Sequence, residues 1–299
     1  MDTSPQKKQQ EITGVLLAVF TACVWAGWMM MTRLGVTSSL SPVDIAFLRF
    51  GSAGLILLPV AWRNRKLVRE APKLPLLALV LCGGLAYILL MAVAFRHASA
   101  AHGIMTPGTI PVFVAVLSWF IFRDRFTWPR IAGYALILGG VGVKISASSS
   151  ESLTMLAADL FFLGGALCMA VYTVIHRALG FSALVTTAFI CTGSMLLGII
   201  PYMLYQCFNP HFLPLKDAVV QMLYQGLLTS VISQMAYVRA VGLIGSARAS
   251  AFVALVPVLA VALAIPVLGE YPTGGDMLFV AVLSGGVLLA SGVFLRWRI

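Results

Sequence analysis

AHGIMTPGTIPVF, residues 101–113, opens an otherwise apolar run with two prolines, two glycines and a histidine. Proline removes a backbone donor, and a bilayer supplies no water to replace the lost bond. Interrupted backbone at membrane depth is tolerated where protein buries it or where it lines a water-filled cavity. The fold therefore turns on whether this run crosses a membrane and what surrounds its start.

The rest of the chain answers the first question. Its 299 residues are 60% hydrophobic and only 10% charged, with a mean hydropathy of +0.98. Those values exclude an ordinary soluble domain and indicate a polytopic helical membrane protein. The apolar runs are continuous and about 20 residues long, whereas a barrel would alternate apolar and polar residues over strands of about ten. Ten spans are expected: Ile12–Thr32, Val43–Trp62, Leu74–Phe95, Gly103–Phe122, Ile131–Ile145, Thr154–Ile175, Ala183–Tyr205, Ala218–Val238, Ala247–Leu268 and Met277–Leu295. The first runs apolar for too long to be a signal-peptide core and is expected to be retained.

With the N-terminus inside, fifteen Lys and Arg fall in inner segments and four in outer ones, while Arg49 lies within the second span. That bias orients both termini toward the cytoplasm, in a bacterial-type inner membrane. It also accounts for the net charge of +10, so no nucleic-acid partner is expected.

The two halves of the chain repeat. AFLRFGS at Ala46 matches AFICTGS at Ala188, and both spans end in proline, Pro59 and Pro201. A shift of 146 superposes Pro111 on Pro257, Asp124 on Glu270 and the GGV at Gly139 on the GGV at Gly285. Five spans is an odd number, so the second repeat must sit upside down relative to the first. Inverted repeats mark secondary transporters, with the substrate site near the midplane between the halves. The expected fold class is an all-α polytopic membrane protein of ten transmembrane helices in two inverted five-helix repeats, residues 1–150 and 151–299.

The segments AFRHASAAHGIMTPGTIPVFVAVLSWFIFRD with GYALILGGVGV, and AVGLIGSARASAFVALVPVLAVALAIPVLGE with SGGVLL, resemble the EamA type of the drug/metabolite transporter superfamily. In that family the fourth span of each repeat carries a central proline and ends near an acid, and a glycine-rich fifth span follows. Here those positions are Pro111 with Asp124 and Pro257 with Glu270. Within the family the chain is most similar to the YddG-type exporters of aromatic and other neutral amino acids. The resemblance implies amino-acid export by alternating access. Export of another small metabolite or drug is the alternative.

Paired breakers at corresponding places in two halves point to the binding site. Pro107, Pro111 and Pro257 are therefore expected to be hinges beside a central cavity. Helical spacing then supplies candidate faces. The first span places Thr21, Trp25, Trp28 and Thr32 together; its partner, the sixth, places Met169, Tyr172 and His176. The eighth puts Ser230, Ser233, Gln234 and Tyr237 on one side, and the third aligns Gly84, Tyr87 and Met91 with them. A polar stripe facing lipid is costly, so these faces should look inward. Expected substrate-binding residues are Trp25, Trp28, Tyr87, Met91, Thr106, Tyr172, His176, Ser230, Ser233, Gln234 and Tyr237. Trp62, Trp128 and Trp297, at span ends, are read as interfacial anchors.

Arg49 suits a substrate carboxylate, but its long stem also lets it snorkel to the nearby interface, which is the reading preferred here. His102 at the outer end of the fourth span could titrate near neutral pH and gate transport, but an interfacial polar role is the preferred reading; His97 and His211, in loops, are given no role. No Asp or Glu lies mid-span, which points to facilitated flux or coupling through a histidine. The five cysteines lack C-x-x-C spacing, and no P-loop or hydrolase motif is present. No enzyme activity, cofactor or metal site is expected. The partners are a small-molecule substrate and the bilayer, and a monomer is compatible with the reading.

Overall fold

A computed structural model describes residues 5–124, 126–253 and 255–291. Arg125, Trp297 and residues 292–295 of the last expected span lie outside them. Among the described residues the regular structure is helical throughout. The first part of the chain forms α1 (Pro5–Thr37), α2 (Pro42–Arg63), α3 (Arg65–Glu70), α4 (Lys73–Val80), α5 (Ala86–His97), α6 (Ala100–Gly103), α7 (Met105–Phe122) and α8 (Trp128–Glu151). The remainder forms α9 (Leu153–Leu179), α10 (Ala183–Phe208), α11 (Leu215–Gln221), α12 (Ser233–Ile244), α13 (Ser246–Val253), α14 (Val256–Leu268) and α15 (Gly274–Ser291). Wide π-helical turns, Leu81–Leu85 and Met222–Ile232, join α4 to α5 and α11 to α12.

Eight helices are long and apolar enough to cross a bilayer, and α14 and α15 are shorter apolar helices. The chain is a multi-pass integral membrane protein. Its outer surface fits that solvent: Leu16, Leu55, Ile200 and Leu278 are between 63% and 67% exposed. Trp62 and Trp128 are also exposed, at the ends of α2 and the start of α8.

Local chemistry sets the helix ends. Ser41 caps α2 through a capping box with Asp44, and Ser152 and Ser182 cap α9 and α10. Both α7 and α14 stop at a left-handed residue, Arg123 (φ 58) and Gly269 (φ 66). An acid follows each, Asp124 and Glu270.

Helix α1 packs against α12 and α14, and α9 packs against α5 and α7. α2 lies along α10, and α8 along α15. α2 also meets the turn 222–232, while α10 meets the turn 81–85. This pattern is unchanged when each first-half element is exchanged for its second-half counterpart.

Two close approaches need glycine. A Cβ on Gly84 would lie 2.1 Å from Ser194 Oγ on α10. One on Gly133 would lie 2.7 Å from the Gly286 carbonyl of α15. Gly133 and Gly140 thus supply the first-half side of an α8–α15 seam, the latter with a Cβ position 2.8 Å from Val282, while Gly139 faces open space.

Candidate functional site

The opening stretch folds as two helices. α6 ends at Gly103, and α7 begins at Met105. Pro107 falls in the first turn of α7, where its missing N–H costs no helical bond. Pro111 lies inside α7 and withdraws the donor that would have met the residue 107 carbonyl. In the second half the chain divides again: α13 ends at Val253, and Pro257 sits in the first turn of α14. Pro107 and Pro257 therefore sit at new helix starts, one in each half, while Pro111 interrupts the ladder within α7.

The predicted aromatic face of α1 is built into a polar and aromatic cluster. Trp25 Nε1 donates to Ser233 Oγ at 3.0 Å, and its ring lies 5.4 Å from that of Tyr237. Trp28 stacks on Tyr87 at 5.6 Å. The Arg49 guanidinium sits 5.6 Å from the Trp28 ring centre and donates to Gln225 Oε1 at 3.0 Å. Gln225 in turn donates to Thr32 Oγ1 at 2.9 Å. Arg49 does not snorkel: a carbonyl acceptor and an aromatic face hold it among α1, α2 and the turn 222–232. The preferred reading of this residue was wrong.

The remaining predicted residues divide. Ser230 and Gln234 line a cleft described below. Tyr172 stacks on His176 at 5.9 Å, and His176 Nδ1 meets Thr186 Oγ1 at 3.0 Å. Met91 and Thr106 are fully buried. Thr106 donates to the Phe162 carbonyl and to the Met91 sulfur, so their polar atoms are taken up between α5, α7 and α9.

Several residues escaped the sequence reading. Gln225 and Thr229 precede Ser233 at four-residue steps and extend its stripe by two turns, a signal that was available. Asp159 is wholly buried, and its Oδ1 lies 2.8 Å from His102 Nδ1. Asp159 lies in the second turn of α9, near the start of its span, so the expectation of no mid-span acid is unaffected. α9 carries Asp159 against α6 and α7, where the histidine compensates it.

Two clefts occupy matching places in the two halves. One, between α2, α5 and α10, is lined by Val43, Phe47, Leu85, Leu89, Gly198 and Tyr202 and has a volume of about 50 Å³. Phe47 and Tyr202 stack across it at 3.9 Å. The other, between α10, α12 and α2, is lined by Leu57, Leu184, Ser230, Val231, Gln234 and Met235 and holds about 390 Å³. Leu85 and Leu89 correspond to Val231 and Met235 at the shift of 146.

Two ion pairs also correspond. Arg33, near the end of α1, meets Glu270 after α14 at 2.8 Å. Arg177, near the end of α9, meets Asp124 after α7 at 2.6 Å. α2 and α10 run antiparallel, so the pairs sit at opposite ends of the molecule. The Glu270 pair is mostly buried; Arg33 also donates to the Phe95 carbonyl, and Glu270 accepts from the Ala100 N–H at 2.9 Å. The Asp124 pair is exposed, and the Arg177 hydrogen bond holds the Asp124 carboxyl below the usual carboxylate range. The narrow cleft lies at the Glu270 end and the wide one at the Asp124 end.

Comparison with known proteins gives a consistent result. The EamA-like transporter family matches residues 12–145 and again residues 156–292. An uncharacterised transporter of Archaeoglobus fulgidus is 28% identical, covering 94% of this chain and 96% of its own. A probable terminal-alkyne amino-acid exporter of Streptantibioticus cattleyicolor is 27% identical, covering 93% and 91%. A solved crystal structure superposes with a TM-score of 0.63 over 96% of this chain and 99% of its own, at 17% identity, a likeness of fold.

Proposed function

We propose that this chain, which belongs to the EamA-like transporter family, exports neutral, including aromatic, amino acids by alternating access. It is a transporter, not an enzyme. In this reading ten helices form two inverted repeats, residues 1–150 and 151–299, with both termini in the cytoplasm of a bacterial-type inner membrane. The exchange-invariant packing and the two family matches support the inverted repeat.

The pair of unequal clefts carries the mechanism. In an inverted repeat, equivalent clefts face opposite sides of the membrane, and a difference in their volumes records which side is open. Here about 390 Å³ at the Asp124 end stands against about 50 Å³ at the Glu270 end. The Lys and Arg bias makes the Asp124 end cytoplasmic, so this conformation is inward-open and ready to load substrate for export. The breaks around Pro107, Pro111 and Pro257 supply hinges. Trp25, Trp28, Tyr87, Tyr172 and Tyr237 offer aromatic surface, and Ser230, Ser233 and Gln234 offer hydrogen bonds.

The name of the Streptantibioticus relative supports the amino-acid class. The test is efflux from cells fed a phenylalanyl dipeptide that intracellular peptidases cleave. Cells producing the protein should release phenylalanine faster than cells producing Trp25→Ala. Equal release would transfer the assignment to another small metabolite or drug.

A further inference from the structure

We infer that Arg49 and Trp28 form the seat for the carboxylate of the transported molecule, so that the site recognises an organic monocarboxylate with an apolar or aromatic body and does not require its amine. The inference rests on the transport reading above and narrows it to one half of the amino-acid head group.

Arg49 is the eighth residue of α2. Six ion pairs are recorded among the described residues, and none uses Arg49. One of its guanidinium nitrogens donates to Gln225, while its Nε is buried without an acceptor. The indole beneath it is in the same condition: Trp28 is 8% exposed, and its Nε1 has no acceptor among the described residues. A cation and two unmet donors thus lie together beside an aromatic stack. A carboxylate brings two acceptor oxygens and one negative charge, which match that set.

Burying a guanidinium without an anion is costly, and the indole face compensates only part of that cost. The fold nevertheless fixes the group in place. Gln225 holds it and is itself held by Thr32. Gly226 allows the approach, because a Cβ there would lie 1.8 Å from Ser52 Oγ and 3.2 Å from the Arg49 carbonyl. The arrangement is preorganised for an anion, so binding a carboxylate restores interactions at little ordering cost. A single cation suits a carboxylate better than a phosphate dianion, which calls for several.

The wide cleft is one residue removed from this seat: Ser230 lines it and donates to the carbonyl of Gln225, whose side chain holds Arg49, at 2.8 Å. No Asp or Glu lines either cleft. In the wide cleft an ammonium group would meet two hydroxyls, the Gln234 amide and the Arg239 guanidinium but no carboxylate, which makes the carboxylate the decisive half of the head group.

The test uses the purified full chain in detergent. Thermal stabilisation and displacement of radiolabelled phenylalanine would be measured with phenylalanine, phenyllactate, phenylalaninamide and inorganic phosphate. Phenyllactate should act within about tenfold of phenylalanine, and phenylalaninamide should be at least ~30-fold weaker, the scale of a lost charge-assisted contact. Arg49→Gln should weaken phenyllactate at least ~10-fold, and Arg49→Lys should recover part of the loss. Should Arg49→Gln fail to fold, the wild-type ligand series decides alone. Phenylalaninamide acting as well as phenylalanine would overturn the carboxylate seat and leave amino-acid export standing, and phosphate matching phenyllactate would also overturn it. Binding of phenyllactate, but not of phenylalanine, with dependence on Arg49 would uphold the seat and remove the amino-acid reading. No effect of any ligand would sink both.

Discussion

Replacing Glu270 with glutamine should open the narrow end of the molecule. Glu270 accepts from Arg33 Nε at 2.8 Å and from the Ala100 N–H at 2.9 Å, and its side chain is only 25% exposed. Each hydrogen bond to a charged group in such a setting contributes about 1.5–3 kcal/mol. Glutamine keeps one acceptor and loses the charge, so about 1–2 kcal/mol of the closed arrangement should be lost. At ~1.4 kcal/mol per factor of ten, the population open at that end rises roughly 5- to 30-fold. The equivalent change, Asp124→Asn, breaks a pair with 54% and 41% exposed side chains, where water already screens the charges. Its effect should be far smaller. The assay is labelling of Val43→Cys, in the narrow cleft, by a hydrophilic maleimide in a background freed of the five native cysteines. Glu270→Gln should accelerate labelling and Asp124→Asn should barely change it. Equal effects, or none from Glu270→Gln, would refute the assignment of the buried pair as the latch of the closed end.

Other perturbations follow from single contacts. Gly84→Ala should lower thermal stability by about 1–3 kcal/mol, because the added carbon meets Ser194 Oγ at 2.1 Å, whereas Gly139→Ala, in open space, should not. His102→Ala leaves Asp159 buried without its partner and should cost about 3–5 kcal/mol in the same melting assay; loss of under 1 kcal/mol would show the pair to be unimportant. In the loop after α10, the Asn209 carbonyl and then Asp44 raise the His211 pKa. A raised folded pKa stabilises fully below the unfolded value and the gain is lost as pH rises through the folded one. Wild type should therefore exceed His211→Gln in melting temperature by more at about pH 5.5 than at about pH 8.5, and the reverse order would contradict the contact.

Much of the fold could be read from apolar runs, turn residues and charge, because lipid imposes those patterns directly. Pro107 in the opening stretch and Pro257 in the second half each fall at a helix start, whereas Pro111, which the repeat aligns with Pro257, lies inside α7. The wide turns were harder: Gly84 hinted at the first and Gly226 lies inside the second, but an isolated glycine in an apolar run does not announce a widened turn, and only the packing of Met222–Ile232 against α2 reveals it. The α1 and α12 stripes brought Trp25, Ser233 and Tyr237 together as their spacing implied. The orientation of Arg49 was not legible, since depth alone does not say whether a long side chain turns toward water or inward. Its acceptor, Gln225, lies 176 residues away. The ion pairs were half visible. The shift of 146 aligned Asp124 with Glu270, but Arg33 and Arg177 align at 144, which a single shift does not find.

The most direct test of the account is counterflow. Proteoliposomes holding the purified protein would be loaded with unlabelled phenylalanine and followed for entry of radiolabelled phenylalanine, with no ion gradient imposed. The account requires transient accumulation above equilibrium in wild type, reduced in Trp25→Ala and Gln234→Ala. Absence of accumulation, with and without a pH gradient, would contradict amino-acid transport by this chain.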